Sequence, residues 1–182
     1  MSTQSASDTL GLPEMQLASV PAQIICDGSD LDWSQALVIE GSHPEEEGLQ
    51  AWICFRGLRV NQDLGNILRW EERPLRASRI RFSVNNVAWR YGFSFSTGIK
   101  SPLGKGIPTP DGWRYPGLCR YGIVLFQPNA QLVAHQVQEA SLERPQEVDL
   151  DPNLDIGFNV NDAKGSYGDN SGSFDVYLQV VG

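Results

Sequence analysis

The sequence predicts an all-β protein, a two-sheet β-sandwich of jelly-roll-like type with an extended N-terminal region. Glycine (18) and proline (11) are spread through the 182 residues, so the apolar segments between them are short. Within several of these segments apolar and polar residues alternate, which is typical of strands with one face on a core. With 41% hydrophobic and 20% charged residues, the chain has enough apolar side chains for two sheets to bury a core between them.

The alternation predicts nine strands along the chain. Arg79–Val84 is the clearest example, and Phe174–Val181 would close a sheet at the end of the chain. In chain order the predicted strands are Gln23–Cys26, Ala36–Glu40, Leu49–Arg56, Arg79–Val84, Ala88–Phe95, Tyr121–Phe126, Gln131–Gln138, Asp155–Val160 and Phe174–Val181.

Three further segments complete the predicted organisation. Gln62–Glu72 has apolar residues at helical spacing and ends before Pro74, which predicts the one helix. Residues 1–20 are rich in Ser, Thr, Gln and Ala, which predicts a flexible arm ahead of a single sandwich domain over 21–182. Thr97–Pro116 is rich in glycine and proline and is predicted to be a long irregular loop, and such loops often carry function.

The charge balance excludes some classes of partner. Fourteen basic against 22 acidic residues give a net charge of -8, which disfavours nucleic acid and anionic lipid unless a local patch overrides the average. There is no apolar run of about 18 residues, so no membrane insertion is expected. Met1–Val20 lacks the basic and apolar regions of a leader, which predicts a protein that is cytoplasmic or exported without a conventional signal peptide. Cys26, Cys54 and Cys119 lie in apolar stretches and are expected to be buried thiols.

The segment Asn161–Phe174 is the one whose composition suggests chemistry. Asp162, Asp169 and Asn170 fall within nine residues, and three glycines between Asn161 and Phe174 let the backbone turn and expose its carbonyls. Calcium takes six to eight oxygens from carboxylates, amides and main-chain carbonyls. The spacing is not that of an EF-hand loop. The alternative is a hairpin turn without a ligand, because Asn, Asp and Gly dominate turns in general.

This segment resembles the calcium loop of the PA-IL-type galactophilic lectins of bacteria, small β-sandwich proteins that bind galactose through a bridging calcium. The family loop runs Asn-Asp-x-x-Gly-Thr-Tyr-Gly-Asn-Asn-Ser-Gly-Ser-Phe-x-Val, and here Ser166 replaces Thr and Asp169 replaces the first Asn of the pair. The matching residues are Asn161, Asp162, Gly165, Tyr167, Gly168, Asn170, Ser171, Gly172, Ser173, Phe174 and Val176. The resemblance covers residues from about 79 to 182.

The resemblance implies a set of calcium ligands. Asp162, Asp169 and Asn170 would bind Ca²⁺ through their side chains, and Ser166 through its main-chain carbonyl. The remaining protein ligand of the family is a main-chain carbonyl in a Tyr-Gly pair at the end of an earlier strand. Thr97, followed by Gly98, is the predicted counterpart.

A second stretch resembles the part of the family that contacts the sugar. Thr109-Pro110-Asp111 and the later Gly-Leu-Cys are similar to the family's His-Pro-Asp-Gln-Gly-Leu-x-Cys, with residues 112–116 inserted. The His and Gln of that motif touch the sugar, but here Thr109 stands at the His position and the Gln is absent. The predicted sugar-binding residues are Thr109, Pro110, Asp111, Trp113, Asp162, Ala163 and Asn170.

The insertion supplies aromatic residues beside this motif. Trp113 or Tyr115 could pack a ring against the apolar face of a pyranose, and ordinary packing is the alternative for both. Arg114 is expected to be a solvated surface charge.

The functional prediction is a calcium-dependent lectin for a galactose-type glycan, without catalysis. A single shallow site is weak, so a homo-oligomer (dimer or tetramer) is expected to supply avidity. One alternative is a structural or assembly sandwich whose C-terminal loop is stapled by calcium, and a less favoured one is a glycoside hydrolase with paired carboxylates. The sequence has no nucleophile elbow or phosphate-binding glycine loop, and His43 and His135 lie in unrelated contexts, so it is not expected to be an enzyme.

Overall fold

A computed structural model describes residues 20–182, so the predicted arm at 1–20 lies, except for Val20, outside the described part. Two β-sheets pack against each other, which confirms the predicted all-β sandwich. The strands are β1 Gln23–Asp27, β2 Leu37–Glu40, β3 Ile53–Arg59, β4 Asn66–Trp70, β5 Arg73–Pro74, β6 Arg79–Arg90, β7 Gly98–Ile99, β8 Ile123–Gln127, β9 Gln131–Gln136, β10 Gln146–Asp149, β11 Gly157–Val160 and β12 Ser171–Val180. Short 3-10 helices lie at Trp33–Gln35, Phe95–Thr97 and Tyr167–Asp169. Among residues 20–182, no helix is long and apolar enough to cross a bilayer.

The two sheets have different sizes. Sheet A has the order β1-β9-β8-β11-β4-β2, with β5 paired to β4, and β2 runs parallel to β4. Sheet B has the order β10-β6-β12-β3, with β7 paired to β6. Strands from residues before 79 belong to both sheets, so the N-terminal part of the chain completes the same sandwich.

Sheet A has apolar side chains packed on both of its faces. Between the sheets, Phe82 of β6 meets Phe158 of β11 edge to face at 5.3 Å, and both rings are fully buried. Leu125 of β8 also faces this core, whereas the next residue, Phe126, packs into a second apolar cluster on the opposite face of the sheet. Trp33 stacks on Phe126 there, with ring centroids 5.5 Å apart. The loops that cover this outer face are therefore part of the fold.

The helix predicted for Gln62–Glu72 is wrong, because strand β4 occupies the middle of this segment. Ile67 and Leu68 are both buried, Ile67 in the outer cluster and Leu68 in the core between the sheets. A strand that is covered on both faces has apolar residues at consecutive positions, so its sequence does not alternate between apolar and polar residues. Consecutive apolar residues also fit the spacing of a helix, which explains why the sequence predicted one here.

Two predicted strands, Arg79–Val84 and Ala88–Phe95, form one long strand, β6, which ends at Arg90. A bulge explains the apparent break, because the register between β6 and β12 shifts near Asp175. The Asp175 carboxylate accepts the Nδ2–H of Asn86 at 2.8 Å, and Asn86 has a left-handed φ of 53°. The edge strand β10 was not predicted, since its one buried apolar residue is Val148.

The buried imidazole of His135 predicts a pH dependence of stability. Burial lowers the pKa of His135 in the folded protein, so stability is complete above the unfolded-state value of about 6.5 and is lost as the pH falls through the folded value. We expect the free energy of unfolding in urea to fall between pH 7.5 and 5.5, and His135→Gln to remove most of this fall. His43→Gln, which changes the exposed histidine, is the matched control and should retain it. An equal pH slope for His135→Gln and the native chain would contradict the prediction.

Candidate functional site

Residues 161–170, here called the crossover loop, connect the two sheets at one end of the sandwich. They follow the last residue of β11 in sheet A and precede the first residue of β12 in sheet B. Ser171 pairs with Arg90, the last residue of β6, so the turn after β6 lies at this end as well. Val60, just after β3, contacts the loop through its carbonyl. The fold thus gathers four chain segments around the predicted calcium ligands.

The buried side chain of Tyr167 holds the crossover loop in place through its hydroxyl. Its hydroxyl donates to the Val160 carbonyl at 2.8 Å and accepts the N–H of Asp162 at 3.3 Å. The side chain is 2% exposed, and burial raises the pKa of Tyr167 well above its usual value, so the phenol stays neutral. One hydroxyl therefore satisfies a backbone donor and a backbone acceptor, and both are next to or part of the predicted ligand set.

Asp162 and Asn170 face each other across the loop, 3% and 5% exposed. The Nδ2 group of Asn170 donates to Asp162 Oδ2 at 2.9 Å and to the Val60 carbonyl at 3.0 Å. Because both neighbours on that side are acceptors, the amide nitrogen must face them and the Oδ1 atom must point away. Asn170 Oδ1 is buried and has no hydrogen-bond donor among residues 20–182. Buried acceptors are almost always satisfied, so this oxygen is available to a ligand.

The electrostatics of the loop also favour a cation. Burial raises the pKa of Asp162, and the charge of Asp169 raises it further, while hydrogen bonds from Asn170 and the Ala163 N–H act in the opposite direction. The Ala163 N–H reaches Asp162 Oδ1 at 2.7 Å. Asp169 is half-buried, and a Cβ atom built on Gly92 would lie 3.9 Å from its Oδ2 atom. The crossover loop thus carries two carboxylates and one free amide oxygen, and Asp169 lies near Gly92.

The donor set constrains which cation could bind. The part of the chain that the structure describes contains no group of three or more His, Cys, Asp or Glu side chains suited to a metal ion. A cation at the crossover loop would therefore need amide and main-chain oxygens in addition to the two carboxylates. Calcium takes such a mixed oxygen set, whereas zinc prefers nitrogen and sulfur.

The two predicted main-chain ligands lie in different settings. Ser166 is exposed and immediately precedes the turn Tyr167–Asp169, within the crossover loop. Thr97 is half-buried in its own 3-10 turn, where its N–H and its hydroxyl both donate to the Ser94 carbonyl, at 3.3 Å and 2.6 Å. Gly92, which lies between the end of β6 and this 3-10 turn, is near Asp169, since a Cβ atom built on it would be 3.9 Å from Asp169 Oδ2.

The predicted sugar-binding loop lies directly against the crossover loop. Trp113 and Ala163 form an antiparallel β-bridge, the Arg114 N–H donates to the Asp162 carbonyl at 2.9 Å, and the N–H of Lys164 donates to the Gly112 carbonyl at 3.1 Å. Two segments that are 50 positions apart in the sequence are thereby held side by side. Trp113 is half-buried at this contact.

Arg114 is not the solvated charge that the sequence predicts. Its side chain is 3% exposed, and its Nη2 atom lies 3.0 Å from both carboxylate oxygens of Asp63, with Asp30 3.5 Å from Nη1. A buried guanidinium requires such partners, because an unpaired charge would be costly there. Arg114 therefore anchors the loop instead of facing solvent.

The remaining predicted sugar contacts divide between buried and exposed positions. Thr109 is 6% exposed, and its hydroxyl donates to the Leu118 carbonyl at 3.0 Å, so it shapes the base of the loop. Pro110 and Asp111 are exposed beyond it. Tyr115 is 1% exposed and packs near Phe126, so ordinary packing is the correct interpretation of this ring.

Sequence reasoning missed an aromatic row of Tyr91, Tyr121 and Trp113 beside the carboxylates. Tyr91 and Tyr121 stack with centroids 3.7 Å apart and planes at 7°, and Trp113 meets Tyr121 edge to face at 5.2 Å. Burial raises the pKa of Tyr121, and the negative charge of Asp162 raises it further.

Tyr121 and Tyr91, two members of this aromatic row, differ in backbone conformation and in the sequence pattern around them. Tyr121 has a left-handed φ of 57°, which is rare for a bulky side chain and typical of functional sites. No local pattern marks Tyr121, because it stands at the start of a predicted strand. Tyr91 carried a signal that was overlooked, since Tyr91-Gly92 is itself a Tyr-Gly pair at the end of a strand.

The Tyr167 hydroxyl yields a stability prediction. Tyr167→Phe should lower the free energy of unfolding by about 1–3 kcal/mol, because a buried backbone N–H and carbonyl lose their partner. Tyr177→Phe is the matched control on β12, because the Tyr177 hydroxyl makes no hydrogen bond within residues 20–182 and its loss should cost less. Urea denaturation measures both variants. Equal costs would show that the hydroxyl does not hold the loop.

No protein-family model, curated protein or solved structure matches this chain. The likeness of the crossover loop to the PA-IL-type lectins therefore stays a prediction, and the geometry of the site is the basis for a functional proposal.

Proposed function

We propose that this protein is a calcium-dependent lectin, which binds a galactose-type sugar through the calcium ion and performs no catalysis. The observation that carries the proposal is the buried Oδ1 atom of Asn170, which has no donor among residues 20–182 and lies in the same loop as the carboxylates of Asp162 and Asp169. A simple hairpin turn would have no reason to bury an acceptor without a donor. These three side chains present oxygen lone pairs and negative charge, which are what a cation such as Ca²⁺ binds.

The calcium ligands follow from this arrangement. Asp162, Asp169 and Asn170 supply side-chain oxygens, and Ser166 supplies its main-chain carbonyl. For the remaining main-chain ligand we propose Tyr91 in place of Thr97, because the Tyr91-Gly92 pair directly follows β6 and Gly92 lies near Asp169. Bound calcium would leave coordination positions open for two sugar hydroxyls.

The residues around the ion would orient the sugar. Asp162 and Asn170 already form a hydrogen bond with each other, and their remaining lone pairs can accept hydrogen bonds from sugar hydroxyls. Trp113 offers a half-exposed ring for the apolar face of a pyranose, and its β-bridge to Ala163 fixes its distance from the calcium ligands. In the proposal Pro110 and Asp111 form the exposed rim of the sugar site, whereas Thr109 acts by shaping the loop.

The first prediction from this proposal concerns calcium binding. Asn170→Ala removes the free oxygen and Asp162→Asn removes one charge, so each should weaken Ca²⁺ binding by about 30-fold or more. Isothermal titration with CaCl₂ measures the affinity, and the rise in melting temperature with calcium gives an independent readout.

Glu143→Gln is the control for the calcium prediction, because it removes one exposed carboxylate without touching the loop. It should bind calcium as the native chain does. If the native chain neither binds calcium nor gains thermal stability from it, the crossover loop is an ordinary turn and the lectin proposal fails.

The second prediction separates sugar binding from calcium binding. Trp113→Ala should weaken calcium-dependent galactose binding about tenfold while leaving the calcium affinity within about twofold, since Trp113 supplies no proposed calcium ligand. Trp70→Ala is the matched control, because Trp70 is also half-buried but lies on β4. Galactose is titrated with calcium and again after chelation.

The outcomes of this titration also distinguish the alternatives. Calcium-dependent heat with galactose supports the lectin. Stabilisation by calcium with no response to galactose would favour the structural sandwich with a calcium-stapled loop. The homo-oligomer expected from avidity stays a prediction, which sedimentation velocity can test.

A further inference from the structure

The turn between β6 and β7, residues 91–97, exposes two phenylalanines and is here called the Phe turn. Phe93 is 93% exposed and Phe95 is 90% exposed. Strand β7 pairs back onto the end of β6, with Gly98 opposite Arg90, so the turn is the tip of a hairpin. Exposing two large rings at one tip is unfavourable in water, which suggests that something covers them in use.

The hydroxyl groups of the Phe turn have hydrogen-bond partners within it. The hydroxyls of Ser94 and Ser96 lie 2.8 Å apart, and the N–H of Ser96 donates to Ser94 Oγ at 3.3 Å. The Thr97 hydroxyl donates to the Ser94 carbonyl at 2.6 Å. Because these hydroxyls have partners inside the turn, moving them out of water forfeits few of their hydrogen bonds.

Basic side chains flank the two rings in a chain whose net charge is -8. The Arg90 guanidinium lies 5.1 Å from the ring centre of Phe95, and Lys100 is exposed at the start of the following loop. Arg90 and Lys100 also line one shallow concavity of about 500 Å³ between β6, β7 and the start of β12. The carboxylate on the other flank is Asp169, next to Gly92.

We propose that the Phe turn docks on an anionic membrane surface, with Phe93 and Phe95 at the boundary of headgroups and acyl chains and Arg90 and Lys100 against anionic headgroups. Apolar rings combined with adjacent cations are what interfacial binding requires. A protein partner usually needs about 800 Å² of surface from each side, whereas this feature is a narrow protruding tip. The docking is shallow, differs from spanning a bilayer, and does not depend on the proposed calcium site.

The test is vesicle flotation with the full chain in a chelating buffer, so that the calcium proposal cannot affect the result. The vesicles contain phosphatidylcholine alone or with about one-fifth phosphatidylserine. We expect the native chain to float with the anionic vesicles and the Phe93→Ser/Phe95→Ser double variant to bind about tenfold to a hundredfold less. Ile25→Ser, which changes an apolar residue that is 67% exposed on β1, is the matched control and should bind normally.

A second variant tests the electrostatic part. The Arg90→Gln/Lys100→Gln double variant should lose the preference for anionic vesicles. Raising the salt concentration above about 0.1 M should weaken the binding of the native chain to anionic vesicles in the same way. Unchanged melting temperatures would show that the exposed substitutions leave the fold intact. If the native chain fails to float with anionic vesicles, or the double phenylalanine variant floats equally well, the membrane proposal is overturned, and a protein partner becomes the occupant to seek.

Discussion

The side chain of Asn161 lies fully buried between the crossover loop and the loop that carries Trp113. Its Oδ1 atom accepts the Tyr115 N–H at 3.1 Å, and its Nδ2 group donates to the Tyr115 carbonyl at 2.9 Å. The main-chain carbonyl of Asn161 also accepts the Tyr121 N–H at 2.9 Å. Breaking these buried hydrogen bonds would leave polar groups without a partner, so the amide holds the two loops at a fixed distance. Both the carboxylates and the aromatic row depend on this spacing.

The connection between the sheets has a similar consequence for the proposed calcium ligands. Asp162 follows the end of β11 in sheet A, and Asn170 precedes the start of β12 in sheet B, so their hydrogen bond joins the two layers. Ligands carried at the ends of buried strands are held more rigidly than ligands on a free loop. A cation at this position would bridge the sheets. The Phe turn leaves the same end of the sandwich through Gly92, so the proposed sugar and membrane contacts would share one face of the protein.

Much of the fold could be predicted from alternation, because several strands have one face on the core and one towards solvent. β12 shows this, since Phe174 and Val176 are buried and Asp175 between them is more exposed. Prediction failed where a strand differs from that rule. In β4, Ile67 and Leu68 are both buried because loops cover the outer face of sheet A, and no local pattern reports that cover.

For the site, the sequence by itself determined the oxygen-rich composition of the crossover loop, because turn residues and donors are contiguous in the chain. Only the tertiary structure decided which of these oxygens is buried without a donor, since that depends on Asn170 meeting the distant carbonyl of Val60. It also decided the setting of Arg114, whose charge is neutralised by Asp63, and of Tyr121, which stacks on Tyr91. Burial and charge pairing are properties of contacts between distant segments, so they arise only when the sheets assemble.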